Sequence, residues 1–200
     1  MSAVAVPGAY TVDDLDLARE RFATPHVELD PWGNLVVTPA TDPHEYAIND
    51  LRLQVEAALQ AAGIDGRVYV NGPPWRVPGG SGYTNQPDLV VLAAGTRRSG
   101  PGLLSFAPPP LLVVEVASPS TRAVDRTRKR ADYLLGGAQA YWMVDLPGLT
   151  PVEEPALTAV LRREGAQEEE RGPLTGQVHL DDPFPATIDL DGLPWTGRWA

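Results

Sequence analysis

The chain has no cysteine, a single lysine and three histidines among its 200 residues. Without cysteine there is no disulfide framework, no thiol nucleophile and no thiolate metal site. The histidines, His26, His44 and His179, lack the close spacing of a zinc centre. No apolar run approaches the roughly 18 residues that a membrane span requires. The first segment, MSAVAVPGAYTVDDLDLARERF, is acidic where a secretory leader is basic, so a cytoplasmic protein without membrane association is expected. Neither a Walker motif nor G-x-G-x-x-G is present, and no nucleotide cofactor is expected. Gly79-Gly80-Ser81-Gly82-Tyr83 misses the G-x-S-x-G elbow because position 83 is tyrosine, which leaves it a flexible loop.

What is present reads as one globular domain over 1–200, with 43% hydrophobic and 21% charged residues. Sixteen basic against 26 acidic residues give a net charge of -10, so any binding to nucleic acid must be local. The basic residues cluster accordingly. Arg122, Arg126, Arg128, Lys129 and Arg130 fall within nine consecutive positions. Lys129 is the only lysine; the other 15 basic residues are arginine, the side chain that suffices wherever a fixed positive charge is needed. One position carries the compact, rotatable ammonium instead.

The 21 prolines and 19 glycines punctuate the chain into short elements, with no internal repeat. His26 to Asp30 and Leu35 to Thr38 predict a hairpin closed by Pro31-Trp32-Gly33-Asn34. A helix follows, capped by Thr41 or Asp42, with Ile48, Leu51, Val55, Leu59 and Ala62 as its apolar stripe and Gly63 as its stop. Arg67 to Asn71, the segment from Pro87 to Leu92, and Leu111 to Ala117 predict strands, separated by loops from Gly72 to Asn85 and from Gly95 to Pro110. A second helix runs from beyond Ser118-Pro119-Ser120-Thr121 to Gly136-Gly137, and Ala140 to Leu146 returns as a strand. The rest is expected to be an appendage in which the segments near Leu157 to Arg163 and Gln177 to Leu180, separated by Glu168-Glu169-Glu170, form an antiparallel pair or an extension of the sheet. This order predicts an α/β (α+β) fold, a mixed sheet flanked by helices.

Within the strand Leu111 to Ala117, apolar on both faces and therefore central, Glu115 is an interruption. A carboxylate buried there must be paired, protonated or metal-bound. Asp88 opens the preceding strand behind Pro87. Two acids from neighbouring strands suit a hard cation such as Mg2+, which prefers oxygen ligands. Taken alone, however, they favour the plainer reading in which Glu115 pairs with an arginine and Asp88 caps a turn. Lys129 alters that balance, because Asp125, Lys129 and Tyr133 form a polar stripe on a helix whose other side is core. Lysine there can orient an attacking water and neutralise charge on a phosphate, with Arg122 and Arg126 holding neighbouring phosphates. The competing reading of Asp125 and Lys129 is an exposed i,i+4 ion pair. Of the five tryptophans, Trp32, Trp75, Trp142, Trp195 and Trp199, Trp142 is expected in the core.

Gln86-Pro87-Asp88-Leu89-Val90-Val91, Leu112 to Thr121, Asp125-Arg126, Lys129, Tyr133 and Tyr141-Trp142-Met143-Val144-Asp145 together resemble the Uma2 family of bacterial proteins, grouped with the PD-(D/E)xK restriction-endonuclease-like nucleases. The likeness runs from about Tyr10 to Asp145 and takes in Glu28 and His44. It implies a restriction-endonuclease-like core over about 26–146, with an N-terminal β-hairpin and a C-terminal β extension over about 147–200. It also implies that Asp88 and Glu115, with the Val116 carbonyl, hold Mg2+ (or Mn2+), and that Glu28 completes the site from the hairpin; its alternative reading is a plain strand-edge residue. The nuclease signature usually places lysine two residues after the second acid, where this chain has Ala117. In Uma2-like sequences a lysine on the following helix replaces it, which maps onto Lys129. Pro31-Trp32 and Gln139-Ala140 depart from the family pattern away from these positions.

The expected function is a Mg-dependent endonuclease hydrolysing phosphodiester bonds of DNA. Asp88, Glu115, Lys129 and Glu28 form its catalytic set. His44, Asp125 and Tyr133 support them, and Arg122, Arg126, Arg128 and Arg130 contact nucleic acid. A homodimer is expected. The alternative is a non-catalytic nuclease fold that binds DNA or regulates.

Overall fold

The computed structural model describes residues 4–22, 26–38, 42–72, 74–76, 82–99, 105–118, 121–147, 154–163 and 167–194. Thr41, Gly79, Gly80, Ser81, Pro119, Ser120, Trp195 and Trp199, singled out in the sequence, lie outside the described residues. The chain begins with β1 (Val4–Val6), a short 3-10 turn (Val12–Asp14) and α1 (Leu15–Phe22). The predicted hairpin follows as β2 (Val27–Leu29) and β3 (Leu35–Val37). Its turn is closed by Asp30, whose carboxylate accepts the backbone N–H groups of Trp32 and Asn34, while Gly33 takes the positive φ of +80°.

Next comes α2 (Asp42–Ala61), which buries Ile48, Leu51, Val55 and Leu59 as the apolar spacing requires. It ends on Gly63 at φ +67°, with the Gly63 N–H reaching Gln60 O and the Ile64 N–H reaching Leu59 O, the double bond of a Schellman cap. β4 (Gly66–Val70), β5 (Trp75–Arg76), β6 (Thr84–Asn85), β7 (Leu89–Ala93), β8 (Arg97–Ser99), β9 (Ser105–Ala107) and β10 (Leu112–Ala117) lead to a second helical stretch. That stretch comprises α3 (Arg122–Val124), a π-helical segment (Asp125–Lys129) and α4 (Arg130–Leu135). β11 (Ala140–Asp145), β12 (Ala156–Arg162), β13 (Glu168–Leu174), β14 (Gln177–Leu180) and β15 (Ala186–Asp189) complete the order.

The central mixed sheet runs β13-β12-β11-β10-β7-β4. Its one parallel pair, β10 with β11, is joined by the second helical stretch, as a parallel connection demands. The small sheet runs β1-β3-β2-β6-β5. α2 covers one face of the central sheet, where Trp142, Leu112 and Val114 meet Ile48, Leu51 and Phe184. On the other face Tyr133, Tyr141, Trp75 and Phe106 pack over Val90 and Val113. β10 is buried along its whole length, as its unbroken apolar run predicts.

The C-terminal strands depart from the expected pairing. Leu157 to Arg163 does not pair with Gln177 to Leu180. β12 instead joins β11 in the central sheet and takes β13, the acidic stretch Glu168–Glu170, as its outer neighbour. Gln177 to Leu180 pairs with β15. The reason lies in burial: Leu157, Ala159 and Leu161 belong to the α2-side core together with Val178, Phe184, Ile188 and Leu193. The extension is thus built into the principal core. Replacing Phe184, 2% exposed against Trp142, by alanine is expected to lower the unfolding free energy by about 3–5 kcal/mol in urea titration. A loosely attached appendage would leave the transition unchanged.

Candidate active site

Glu28, His44, Asp88, Glu115, Asp125 and Lys129 converge on one small cavity of about 30 Å³, also lined by His26, Thr38, Gln86, Val116 and Thr121. The side chains come from several parts of the fold: Glu28 from β2, His44 from α2, Asp88 from the residue just before β7, Glu115 from β10. Asp125 and Lys129 lie at the two ends of the π-helical segment. A π turn carries one more residue than an α turn and recurs at functional sites. Here it is backed by the buried Tyr141 hydroxyl, which donates to the Asp125 carbonyl at 2.9 Å. The sequence pattern predicts an ordinary helix at this point, because side-chain periodicity does not register one wider turn.

Lys129 is 9% exposed, so the reading as a surface ion pair does not hold. Its Nζ lies 2.8 Å from Glu28 Oε1, 3.2 Å from Glu115 Oε1 and 3.7 Å from Asp125 Oδ1. The Tyr133 hydroxyl donates to Glu115 Oε1 at 2.6 Å, and the Gln86 N–H donates to Glu28 Oε1 at 2.6 Å. Asp88 Oδ2 accepts the Val116 N–H at 2.7 Å and lies 3.6 Å from His44 Nε2, which is itself 2.9 Å from the Val116 carbonyl.

Four carboxyl groups thus face two cationic side chains, and the proton affinities follow. Burial pushes Glu115 well above the carboxylate range against the pull of Lys129, and Asp88, Asp125 and Glu28 push it further. Asp125 is raised for the same reason. Burial opposes the charge on His44, but Asp88 and the Val116 carbonyl outweigh it and hold its pKa at about 9. Asp88 remains well below the usual range because His44 offsets its burial. Lys129, though buried, is raised well above the usual lysine value by Glu115, Glu28 and Asp125.

The donors here are oxygens of hard character, which suit Mg2+ or Mn2+ rather than a soft metal. Among the described residues, no three acidic or histidine side chains already form a coordination shell. The Lys129 ammonium occupies the middle of Glu28, Glu115 and Asp125 instead. The negative surplus and the cavity, of a size for one ion or water, still fit a cation held by few protein ligands and retained waters. A wider groove of about 550 Å³ between α2 and the β14–β15 hairpin has only His179 and Asp181 as ionisable lining residues.

The predicted phosphate-binding arginines lie elsewhere. Arg122 and Arg126 both pair with Asp145, at 2.6 and 2.7 Å. Arg128 donates to Asn85 Oδ1, lies 3.6 Å from Asp132 and sits over the Tyr83 ring. Arg130 pairs with Glu168 and Glu170. None of the four lines the cavity. His26, Thr38, Gln86 and Thr121 line it without having been given a role; of these, Gln86 and Thr121 lie in the motifs that carry the family resemblance.

Lys129→Met is expected to cost about 3–5 kcal/mol at neutral pH, measured by urea denaturation, because it strands buried carboxylates. An exposed i,i+4 pair would cost only about 0.3–0.5 kcal/mol.

No curated protein matches the chain. A crystal structure described as "a putative nuclease belonging to DUF820 from Anabaena variabilis ATCC 29413" superposes with a TM-score of 0.57 at 16% identity, covering 92% of this chain and 96% of the other. That likeness establishes a shared fold. The model of the Uma2 family, described as "Putative restriction endonuclease", matches residues 12–191, and the chain belongs to that family.

Proposed function

We propose that the protein is a divalent-metal-dependent endonuclease acting on DNA, with Asp88, Glu115 and Lys129 as its working set. The observation that carries this reading is the burial of the only lysine among the carboxylates of one cavity, 3.2 Å from Glu115. Membership of a restriction-endonuclease family supports hydrolysis of phosphodiester bonds. Asp88 and Glu115 would hold Mg2+ or Mn2+, with the Val116 carbonyl as a third oxygen and Glu28 at the margin. When bound, such an ion supplies Lewis-acid stabilisation of charge on the phosphoryl oxygens.

The chain's own groups divide the remaining work. Lys129 orients a water and neutralises charge that develops during attack. Tyr133 fixes the Glu115 carboxylate through its 2.6 Å hydrogen bond. Asp125 holds the ammonium from below, and protonated His44 anchors the Val116 carbonyl beside Asp88. Of the basic cluster, Arg126 is half exposed and is the best placed to meet a backbone phosphate, while Arg122, Arg128 and Arg130 are more deeply committed to internal partners.

That commitment, with the net charge of -10, is also what favours a second reading, a nuclease fold that binds DNA or regulates without cutting. Supercoiled plasmid and single strands incubated with Mg2+ or Mn2+ separate the two. Asp88→Asn and Glu115→Gln, which preserve side-chain volume, are expected to lower a metal-dependent nicking rate by at least about 100-fold. Verified folding and metal uptake with all DNA left intact would sink the catalytic reading. Salt-sensitive, chelator-insensitive DNA binding without cleavage would establish the second.

A further inference from the structure

The two edges of the central sheet are built differently. β13 reads Glu168-Glu169-Glu170-Arg171-Gly172-Pro173-Leu174, and its ladder to β12 shifts register between Leu157 and Ala159. Charge, glycine, a proline without an N–H and an irregular ladder all discourage a further strand from pairing there. β4, at the opposite edge, reads Gly66-Arg67-Val68-Tyr69-Val70, with three consecutive residues of high strand preference and a regular five-pair ladder to β7. Among the described residues, β7 is its only strand partner.

The register of that ladder decides which backbone groups point away from it. The Ala94 N–H donates to Asp65 O, and the Asn71 N–H donates to Asp88 O, so positions 65 and 71 bracket the strand as hydrogen-bonded positions toward β7. By alternation Arg67 and Tyr69 also turn their backbone groups toward β7, and Gly66, Val68 and Val70 turn theirs outward. Arg67 and Tyr69 lie opposite Leu92 and Val90 and share their face, while Val68 lies opposite Val91 on the α2 side.

We propose that β4 is a homodimer interface, at which the β4 strand of a second copy adds antiparallel about a two-fold axis through Val68. In this register Val68 faces Val68 and Gly66 faces Val70, all as hydrogen-bonded pairs, so every outward N–H and C=O of the strand gains a partner. Arg67 falls opposite Tyr69 of the second copy, and by symmetry this happens on both sides of the axis. These are non-hydrogen-bonded pairs, in which side chains approach most closely, and guanidinium beside phenol ring is a cation–π contact. Both residues are exposed, Tyr69 by 42%, and Arg67 has no ion pair among the described residues. The register displaced by one step toward Gly66 instead sets Arg67 against Arg67, which like charge disfavours. The register displaced by one step toward Val70 sets Tyr69 against Tyr69 and leaves Arg67 opposite Asn71, forgoing both Arg67–Tyr69 contacts. The strand is thus self-complementary about Val68, as an isologous interface must be. The groove of about 500 Å³ along β4, walled by Glu56, Leu59, Gln60 and Ile64, would be closed by its own counterpart.

Sedimentation equilibrium of the full chain from micromolar to submillimolar concentration tests this directly, and is independent of any nuclease activity. The expected mass is twice the 21.5 kDa of one chain. Val68→Pro removes an outward N–H, a change an edge strand tolerates, and should give a monomer with unaltered near-UV circular dichroism. Tyr69→Arg brings guanidinium groups face to face and should weaken the dimer by at least about tenfold. Adding Arg67→Tyr to it restores opposed unlike partners and should recover association. If Val68→Pro disturbs the fold, Tyr69→Arg and its rescue decide the matter. A wild type that sediments at the monomer mass, or a dimer indifferent to Tyr69→Arg, overturns the proposal.

Discussion

The structure turns on one buried ammonium. Lys129 is surrounded by Glu28 from the small sheet, Glu115 from the central sheet and Asp125 from its own helix, so a single cation joins three units of the fold. The energetics of such a centre are asymmetric. Assembled, its Coulomb attraction is set against the cost of desolvating its members, but removing one member leaves charge stranded in a poorly solvated cavity. The surrounding donors suit this arrangement: Tyr133 and the Gln86 N–H occupy carboxylate lone pairs that the ammonium cannot fill. Position is thereby specified more sharply than apolar packing alone would specify it.

The same centre links stability to chemistry. Burial, reinforced by neighbouring carboxylates, raises Glu115 and Asp125, while those carboxylates hold Lys129 protonated in spite of its own burial. His44 and Asp88 form a second pair around the backbone of Val116, with Asp88 accepting its N–H and His44 bonded to its carbonyl. Through these contacts the two peptide groups flanking the Val116 Cα are both held.

The basic cluster illustrates how a linear reading overstates a charge patch. Five positive residues within nine positions suggest a phosphate-binding face, yet helical geometry distributes them around the axis. Lys129 turns into the cavity, Arg122 and Arg126 meet Asp145, and Arg130 meets the glutamates of β13. Those glutamates, expected in a connecting segment, form an outer strand because β12 has its own apolar face to bury on β11.

Much of the fold was legible in the residues themselves. Periodicity of 3.6 placed α2, glycine beyond its last apolar residue ended it, the Asp30 to Asn34 turn closed the hairpin, and an unbroken apolar run marked β10 as central. These depend on interactions within a few residues, which a sequence displays directly. Asp88, Glu115 and Lys129 were likewise singled out, because a carboxylate in an apolar strand and a lone lysine are locally anomalous. Tertiary structure alone decided that Glu28 shares its proton-rich neighbour with Asp125, that His26 and Thr38 line the same cavity, and that the C-terminal strands belong to the principal core. Such relations join residues far apart in the chain, and burial, which sets both their partners and their proton affinities, exists only after the chain has folded.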